Sequence, residues 1–180
     1  MDLTKIDVTL FARVNFPRPT KIVSLQNVID TIKSDKYKLA VEQCKLSVTK
    51  SYEVTELNKA KLPCFLPLGK FKHRSIAGLE SYNGLMCLDI DIVKNAIEFR
   101  EKLKEIPYII SAFVTPSYEG NKCFIMTEAT KETYKEVEER VAQDFLKRTG
   151  YKRDVKDISR IQFFSHDPGI WVNPEAKVFK

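Results

Sequence analysis

Asp89 and Asp91 stand two residues apart at the end of an apolar run in NGLMCLDIDIVKN, residues 83–95. In a β-strand, side chains at i and i+2 share one face, about 6–7 Å apart. Two carboxylates so placed repel each other, and desolvating them without a partner is costly. They require a cation: a lysine, an arginine or a divalent metal. Mg²⁺ or Mn²⁺ held by one or two carboxylates, with water and substrate phosphates completing the shell, is the arrangement of phosphoryl-transfer sites. Two structural roles compete with this one: a salt-bridged surface pair, or Asp91 as the cap of a following helix.

Three further stretches carry compatible chemistry. In TPSYEGNK (115–122), the Ser117 hydroxyl and the Gly120 N–H can face a phosphate, and Lys122 adds a point charge. The same residues also read as an ordinary turn leading into a strand. In RDVKDISRIQFF (153–164), Asp154 or Asp157 can supply a third carboxylate, and Arg160 suits a bidentate phosphate contact. An internal Asp157–Arg160 ion pair is the plain alternative. In GKFKHRS (69–75), Lys70, Lys72, His73 and Arg74 make a basic loop able to hold template, primer or triphosphate phosphates, or simply to face solvent.

These groups act together only if the fold gathers them. The 180 residues, 43% hydrophobic and 30% charged, make one domain or two small modules sharing a core. The alternation of residues 6–14 predicts a strand. Ser24 predicts a capped helix with Leu25, Val28, Ile29 and Ile32 on one face. A second helix is expected over roughly 35–47, and the two prolines of KLPCFLPLGKF suggest a short edge strand or an ordered loop.

From residue 84 the pattern sharpens. A strand through Asp91 leads to a helix over 93–105 with Val93, Ile97, Arg100 and Leu103 along one side. Strands follow at 108–116 and 121–128, then a helix capped by Thr130 and closed by Gly150, and a last strand at 160–165. The order β-α-β-β-α-β is the split βαβ, or ferredoxin-like, arrangement, with helices on one face of an antiparallel sheet. In that arrangement the last strand lies beside the first, which brings Asp154 and Asp157 toward Asp89. The expected fold is therefore α+β: an amino-terminal α/β module over 1–82, and a split βαβ module over 83–180 whose second face is open to a ligand or to the first module. Phe163 or Phe164 on the last strand could offer a stacking surface there.

Composition narrows the partners. The net charge of +6 and pI near 9.0 suit a polyanion. Cys44, Cys64, Cys87 and Cys123 are widely spaced, which argues against a disulfide framework or a zinc site. No signal-peptide core and no membrane-length apolar run is present, so a cytoplasmic protein is expected.

Taken together, these stretches resemble the VirE N-terminal-type domain, a branch of the archaeo-eukaryotic primase (primase-polymerase) superfamily. The resemblance runs through LPCFLPLGKFKHRSIAGLESYNGLMCLDID, IPYIISAFVTPSYEGNK and KDISRIQFFSHDPGIWVNPEAKVF, and covers roughly residues 60–180. It implies a primase-type catalytic core performing metal-dependent nucleotidyl transfer in DNA replication, with mobile elements as one setting. Asp89 and Asp91 would bind Mg²⁺ or Mn²⁺, and the third acidic position falls on Asp157 or Asp154. The superfamily's middle motif is typically Ser-x-His; here the turn offers Ser117 and Lys122 instead, and its usual second glycine is missing. The implied partners are single-stranded or primed DNA and nucleoside triphosphates. Relatives often continue into a helicase-like ATPase region, fused or separate, so this chain is expected to be part of such a protein or a stand-alone domain. Two other readings stand beside this one. The first is a catalytically degenerate nucleic-acid-binding module that delivers such an ATPase to DNA. The second is an interaction domain whose acidic pair meets a basic partner.

Overall fold

Strand β1 (Asp7–Phe11) pairs antiparallel with β2 (Lys21–Ser24). Ser24 then caps α1 (Leu25–Lys33): its hydroxyl accepts from the Asn27 N–H, and the Asn27 side chain reaches back to the Ser24 N–H. As the spacing predicts, Leu25, Val28, Ile29 and Ile32 are buried. Helices α2 (Lys38–Ser47) and α3 (Tyr52–Lys59) follow and pack on each other. Next come β3 (Cys64–Leu66) and a separate hairpin of β4 (Gly69–Phe71) and β5 (Leu79–Tyr82). The second half contributes β6 (Leu85–Ile90), α4 (Ala96–Leu103), β7 (Ile109–Val114), β8 (Asn121–Met126), α5 (Tyr134–Thr149), β9 (Gln162–Phe163) and β10 (Trp171–Val172). The structure is a computed structural model and describes residues 1–153 and 157–180.

The fold is mixed α+β, and every strand pair in its sheets is antiparallel. One sheet has the order β2-β1-β3-β9, the other β10-β7-β8-β6. Within the second sheet, β6 lies beside β8 and β8 beside β7, the neighbours a split βαβ run predicts for its first three strands. The expected last strand departs from that pattern. β9 pairs with β3 through Cys64↔Phe163 and Phe65↔Gln162, so it completes the first sheet instead of flanking β6. Element order alone does not choose a partner for a two-residue strand, and here the chain beyond it is drawn across to β7, where Trp171 pairs with Ala112.

The open sheet face is also filled. Phe65 of β3 meets Phe124 of β8 at 6.3 Å and Phe164 at 4.9 Å, and Phe124 meets Phe113 at 5.5 Å. The two sheets therefore pack face to face through an aromatic layer of tilted rings. Phe164 is buried in it, while Phe163 is only half-buried. On the other face, α4 is tied to β8 by the Asn121 side-chain amide donating to the Ala96 carbonyl at 2.9 Å. Phe99 of α4 packs on Tyr151, just beyond α5, with ring centroids 4.6 Å apart.

Three local expectations change. β3 is an inner strand, because Pro63 and Pro67 sit just outside it and remove no ladder donor. Helix α4 starts at Ala96 with Asn95 accepting from the Glu98 N–H, so Asp91 does not cap it. Its buried face is Ala96, Phe99, Arg100 and Leu103, and Ile97 is exposed. Thr130 does not cap α5; it exchanges hydrogen bonds with Thr133, and the helix begins at Tyr134. Among the described residues no helix is long and apolar enough to cross a membrane.

All four cysteines are buried. Burial raises the Cys44 and Cys123 thiols above their ordinary 9.0 and pushes Cys64 to about 11. It likewise raises the Tyr108, Tyr118 and Tyr134 phenols and pushes Tyr82 to about 12. Folded values above unfolded ones mean stability that is complete below about pH 9 and is lost as pH rises toward the folded values. The native protein should thus resist thiol reagents at about pH 8, and its melting temperature should fall steadily between about pH 9 and 11. Rapid stoichiometric labelling of the native state would contradict this burial.

Candidate functional site

At the carboxyl end of β6 a cleft of about 410 Å³ opens between the two halves of the chain. Its walls are the end of β6, the turn between β7 and β8, one face of α3 and the start of β9. Asp89, Asp91, Ser117, Gly120, Lys122 and Arg160 all line it, so six of the anticipated residues do converge.

The strand register explains the first pair. Asp89 of β6 and Lys122 of β8 are directly opposite one another, and Lys122 Nζ lies 2.7 Å from Asp89 Oδ2. Each side chain is only 9% exposed. Lys122 is therefore the cation that the apolar setting of Asp89 demands. Asp91 lies just past the last residue of the strand and is exposed to the cleft.

The turn is fitted to the strand end by Gly120. A Cβ there would fall 2.3 Å from the Ile90 carbonyl oxygen and 3.3 Å from the Asp91 Cα, so any side chain would force the turn off the carboxylates. The Gly120 N–H donates to Thr115 Oγ1 at 3.2 Å, which commits it to the turn itself and not to a phosphate. Ser117 is buried with its hydroxyl 3.4 Å from that of Thr115. The Val93 N–H donates to the Glu119 carbonyl at 2.8 Å and bolts this turn to the loop after β6.

Helix α3 adds Tyr52, Glu56 and Lys59, whose i, i+4, i+7 spacing puts them on one face. Sequence reasoning missed this helix. Its signal was Ser51, which accepts from the Val54 N–H as N-cap. Lys59 pairs with Glu56 at 2.8 Å.

Asp157 is not in the cleft. It lines an adjoining cavity of about 440 Å³ with Val14, Arg74 and Ser159. Its Oδ1 accepts from the Ser159 N–H at 2.7 Å and from the Ser159 hydroxyl at 2.6 Å, so the carboxylate orders this bend instead of pairing with Arg160. Among the described residues, no carboxylate forms an ion pair with Arg160. The two cavities share Glu56, Arg160, Ile161 and Phe163, and so form one groove with Arg160 at the junction. Arg74 faces its far end and donates to the Val14 carbonyl at 2.6 Å. The rest of the basic loop points elsewhere: Lys70 pairs with Asp7 at 3.1 Å, Lys72 with Glu80 at 3.2 Å, and His73 bonds Ser75. Asp154 lies outside the described residues.

The cleft carries four carboxylates, Glu56, Asp89, Asp91 and Glu119, against three cations, Lys59, Lys122 and Arg160. A polyphosphate entering it needs additional positive charge. Among the described residues no group of three or more His, Cys, Asp or Glu side chains is arranged to hold a metal. What the cleft provides is the Asp89 and Asp91 carboxylates. That donor set fits Mg²⁺ or Mn²⁺ in the mode where water and substrate phosphates complete the shell, and not an all-protein cage.

Residues 58–171 match the family model of the BT4734-like N-terminal domain. The chain belongs to that family. Searches of curated proteins and of solved structures returned no match. The matched region holds the Asp89–Lys122 pair, the turn, Arg160 and a second buried constellation around Asp167.

That second constellation is structural. Asp167 is buried; its Oδ2 accepts from the Val114 N–H at 3.0 Å, and its Oδ1 from Gly169 and from Arg100 Nη1. A Cβ on Gly169 would fall 2.5 Å from Arg100 Nη2, so a side chain there would push the guanidinium from its present place. Burial works against the Arg100 charge, yet the carboxylates of Asp167 and Glu101 outweigh it and hold the guanidinium pKa above its ordinary value. The Asp167 N–H donates to the Ile32 carbonyl, and His166 bonds Asp35 at 2.9 Å. The SHDPG stretch thus clamps α1, α4 and β7 together behind the cleft.

Proposed function

We propose that the cleft binds the phosphates of a nucleoside triphosphate and that the domain acts as a primase-polymerase-like nucleotidyltransferase in DNA replication. The observation that carries this is the convergence of Asp89, Asp91, Ser117, Lys122 and Arg160 on one cleft, from three separate stretches of chain. In this reading Arg160, exposed at the junction, grips phosphate with its planar fork. Lys122 fixes the Asp89 carboxylate and turns its remaining ammonium protons toward phosphate. Asp89 and Asp91 would hold Mg²⁺ or Mn²⁺. Such an ion, when bound, neutralises the triphosphate and lowers the pKa of an attacking 3′-hydroxyl. The excess of carboxylates in the cleft supports this dependence, since a polyphosphate alone would meet net repulsion. The groove continues past Arg160 to Arg74, which gives a primed or single-stranded DNA backbone a path on the far side. The VirE N-terminal-type resemblance agrees with this assignment.

A second reading is favoured by one observation: among the described residues no third side chain is arranged with Asp89 and Asp91 to hold a metal. On that reading the groove binds nucleic acid without turning nucleotides over and delivers a helicase-like ATPase. The test is Mn²⁺-dependent nucleotide incorporation on a primed single-stranded template, wild type beside Asp91→Asn and Arg160→Ala. Both variants change exposed side chains, so both should stay folded. Asp91→Asn should lose incorporation at least a hundredfold. Arg160→Ala should lose it about tenfold or more, the cost of one charged hydrogen-bonding group.

A further inference from the structure

The phosphate-binding role leaves the rim of the cleft unexplained. Tyr52 and Ile92 stand there 78% and 85% exposed, the two most exposed large apolar or aromatic side chains among the described residues. Single exposed apolar residues are ordinary. Here the backbone argues otherwise. Ile92 has φ +54, the left-handed region that a β-branched residue enters only at a cost. Asparagine or glycine would hold the same turn with less strain, so the feature kept at that cost is the side chain.

The strain is also locked in place. Val93, next in the chain, donates to the Glu119 carbonyl; beside Glu119 is Tyr118, at φ +62, the other non-glycine residue with positive φ among those described. Tyr118 is pinned by its hydroxyl donating to the His166 carbonyl at 2.9 Å, with Lys45 over its ring at 4.4 Å. Both strained residues therefore flank one cleft, and strain of this kind collects where a ligand is held. The same cleft carries Lys122 and Arg160. An exposed aromatic ring and an apolar side chain beside phosphate-binding cations complement a ligand with a flat π-face at one end and phosphate at the other.

We infer that Tyr52 and Ile92 form a nucleobase clamp at the mouth of the cleft. The Tyr52 ring stacks on the base, Ile92 gives it an apolar contact, and the phosphates lie inward toward Lys122 and Arg160. Stacking accepts any base, so the clamp confers affinity with little base preference. This inference rests on the phosphate reading of the same cleft.

Calorimetric titration of the full chain with ATP and with inorganic tripolyphosphate, each with Mn²⁺, tests it. Tyr52→Ala should weaken ATP about tenfold and leave tripolyphosphate unchanged, while Tyr52→Phe keeps the ring and should match wild type. Ile92→Asn should weaken ATP while raising the melting temperature by about 2 °C, because it relieves the strained backbone. If Tyr52→Ala weakens both ligands equally, or neither, the clamp is wrong and the phosphate site stands. If wild type binds neither ligand, the phosphate reading falls and the clamp falls with it.

Discussion

Replacing Lys122 with alanine should cost about 3–5 kcal/mol of folding stability, because it removes the ammonium paired with the largely buried Asp89 carboxylate. The two side chains are 2.7 Å apart, each 9% exposed, and opposite one another on neighbouring strands. Asp89→Ala should cost a similar amount by stranding the ammonium. For a chain of this length that is a drop of roughly 10 °C in melting temperature. Asp89→Asn, which keeps the shape and one acceptor, should cost less. Replacing both partners by leucine and methionine should recover most of the loss, since no charge is then left behind. Urea unfolding of the four variants measures this; full additivity of the single losses in the double replacement would mean that the pair does not interact. The consequence for function is direct. Asp89→Ala confounds chemistry with folding, and Asp91 is the carboxylate whose replacement tests the site.

The second large effect lies at Asp167. Asp167→Ala removes the acceptor of the Val114 and Gly169 N–H groups and the main partner of the buried Arg100 guanidinium. Glu101 still accepts from Arg100 Nε at 3.3 Å and Nη2 at 3.1 Å, but it is itself half-exposed, which weakens that pairing. The expected loss is about 3–5 kcal/mol. Arg100→Met in the Asp167→Ala background should restore part of it, because it removes a buried guanidinium left with Glu101 as its carboxylate partner. A melting temperature for Asp167→Ala within about 2 °C of wild type would show that the clamp is dispensable. The SHDPG part of the last block of the family resemblance would then have no structural role. The structure gives the stretch around Asp167 to holding α1, α4 and β7, and Arg160, Ile161 and Phe163 earlier in the same block to the cleft.

How much of this was legible in the sequence depends on the kind of signal. Helices with strong stripes and caps were legible, as Ser24 with Leu25, Val28, Ile29 and Ile32 illustrates, because burial and capping both act within a few residues. The run from β6 to β8 was legible for the same reason: apolar strands buried on both faces announce themselves. The partner of β9 was not. A two-residue strand carries no pattern, and its place beside β3 depends on where the Asp167 clamp takes the rest of the chain. Helix α3 escaped because its cleft-facing residues are polar or exposed and make no apolar stripe.

At the site, the demand for a cation beside Asp89 was legible from the charge of the pair and the apolarity of the strand. That Lys122 answers it followed only from the register of β6 against β8. The basic loop looked uniform in sequence, yet only Arg74 turns toward the groove, because Asp7 and Glu80 capture Lys70 and Lys72. Asp157 looked like a third ligand by its position before a strand, but the Ser159 N–H and hydroxyl take its carboxylate into a local bend.

The central claim is that the carboxylates of the cleft serve metal-dependent nucleotidyl transfer. Mn²⁺-dependent nucleotide incorporation on a primed single-stranded template, with Asp91→Asn as the folded control, tests it most directly. Wild type should extend the primer, extension should stop when the metal is chelated, and Asp91→Asn should lose it. Wild type that binds the template yet adds no nucleotide with Mg²⁺ or Mn²⁺, or an Asp91→Asn variant as active as wild type, would contradict it.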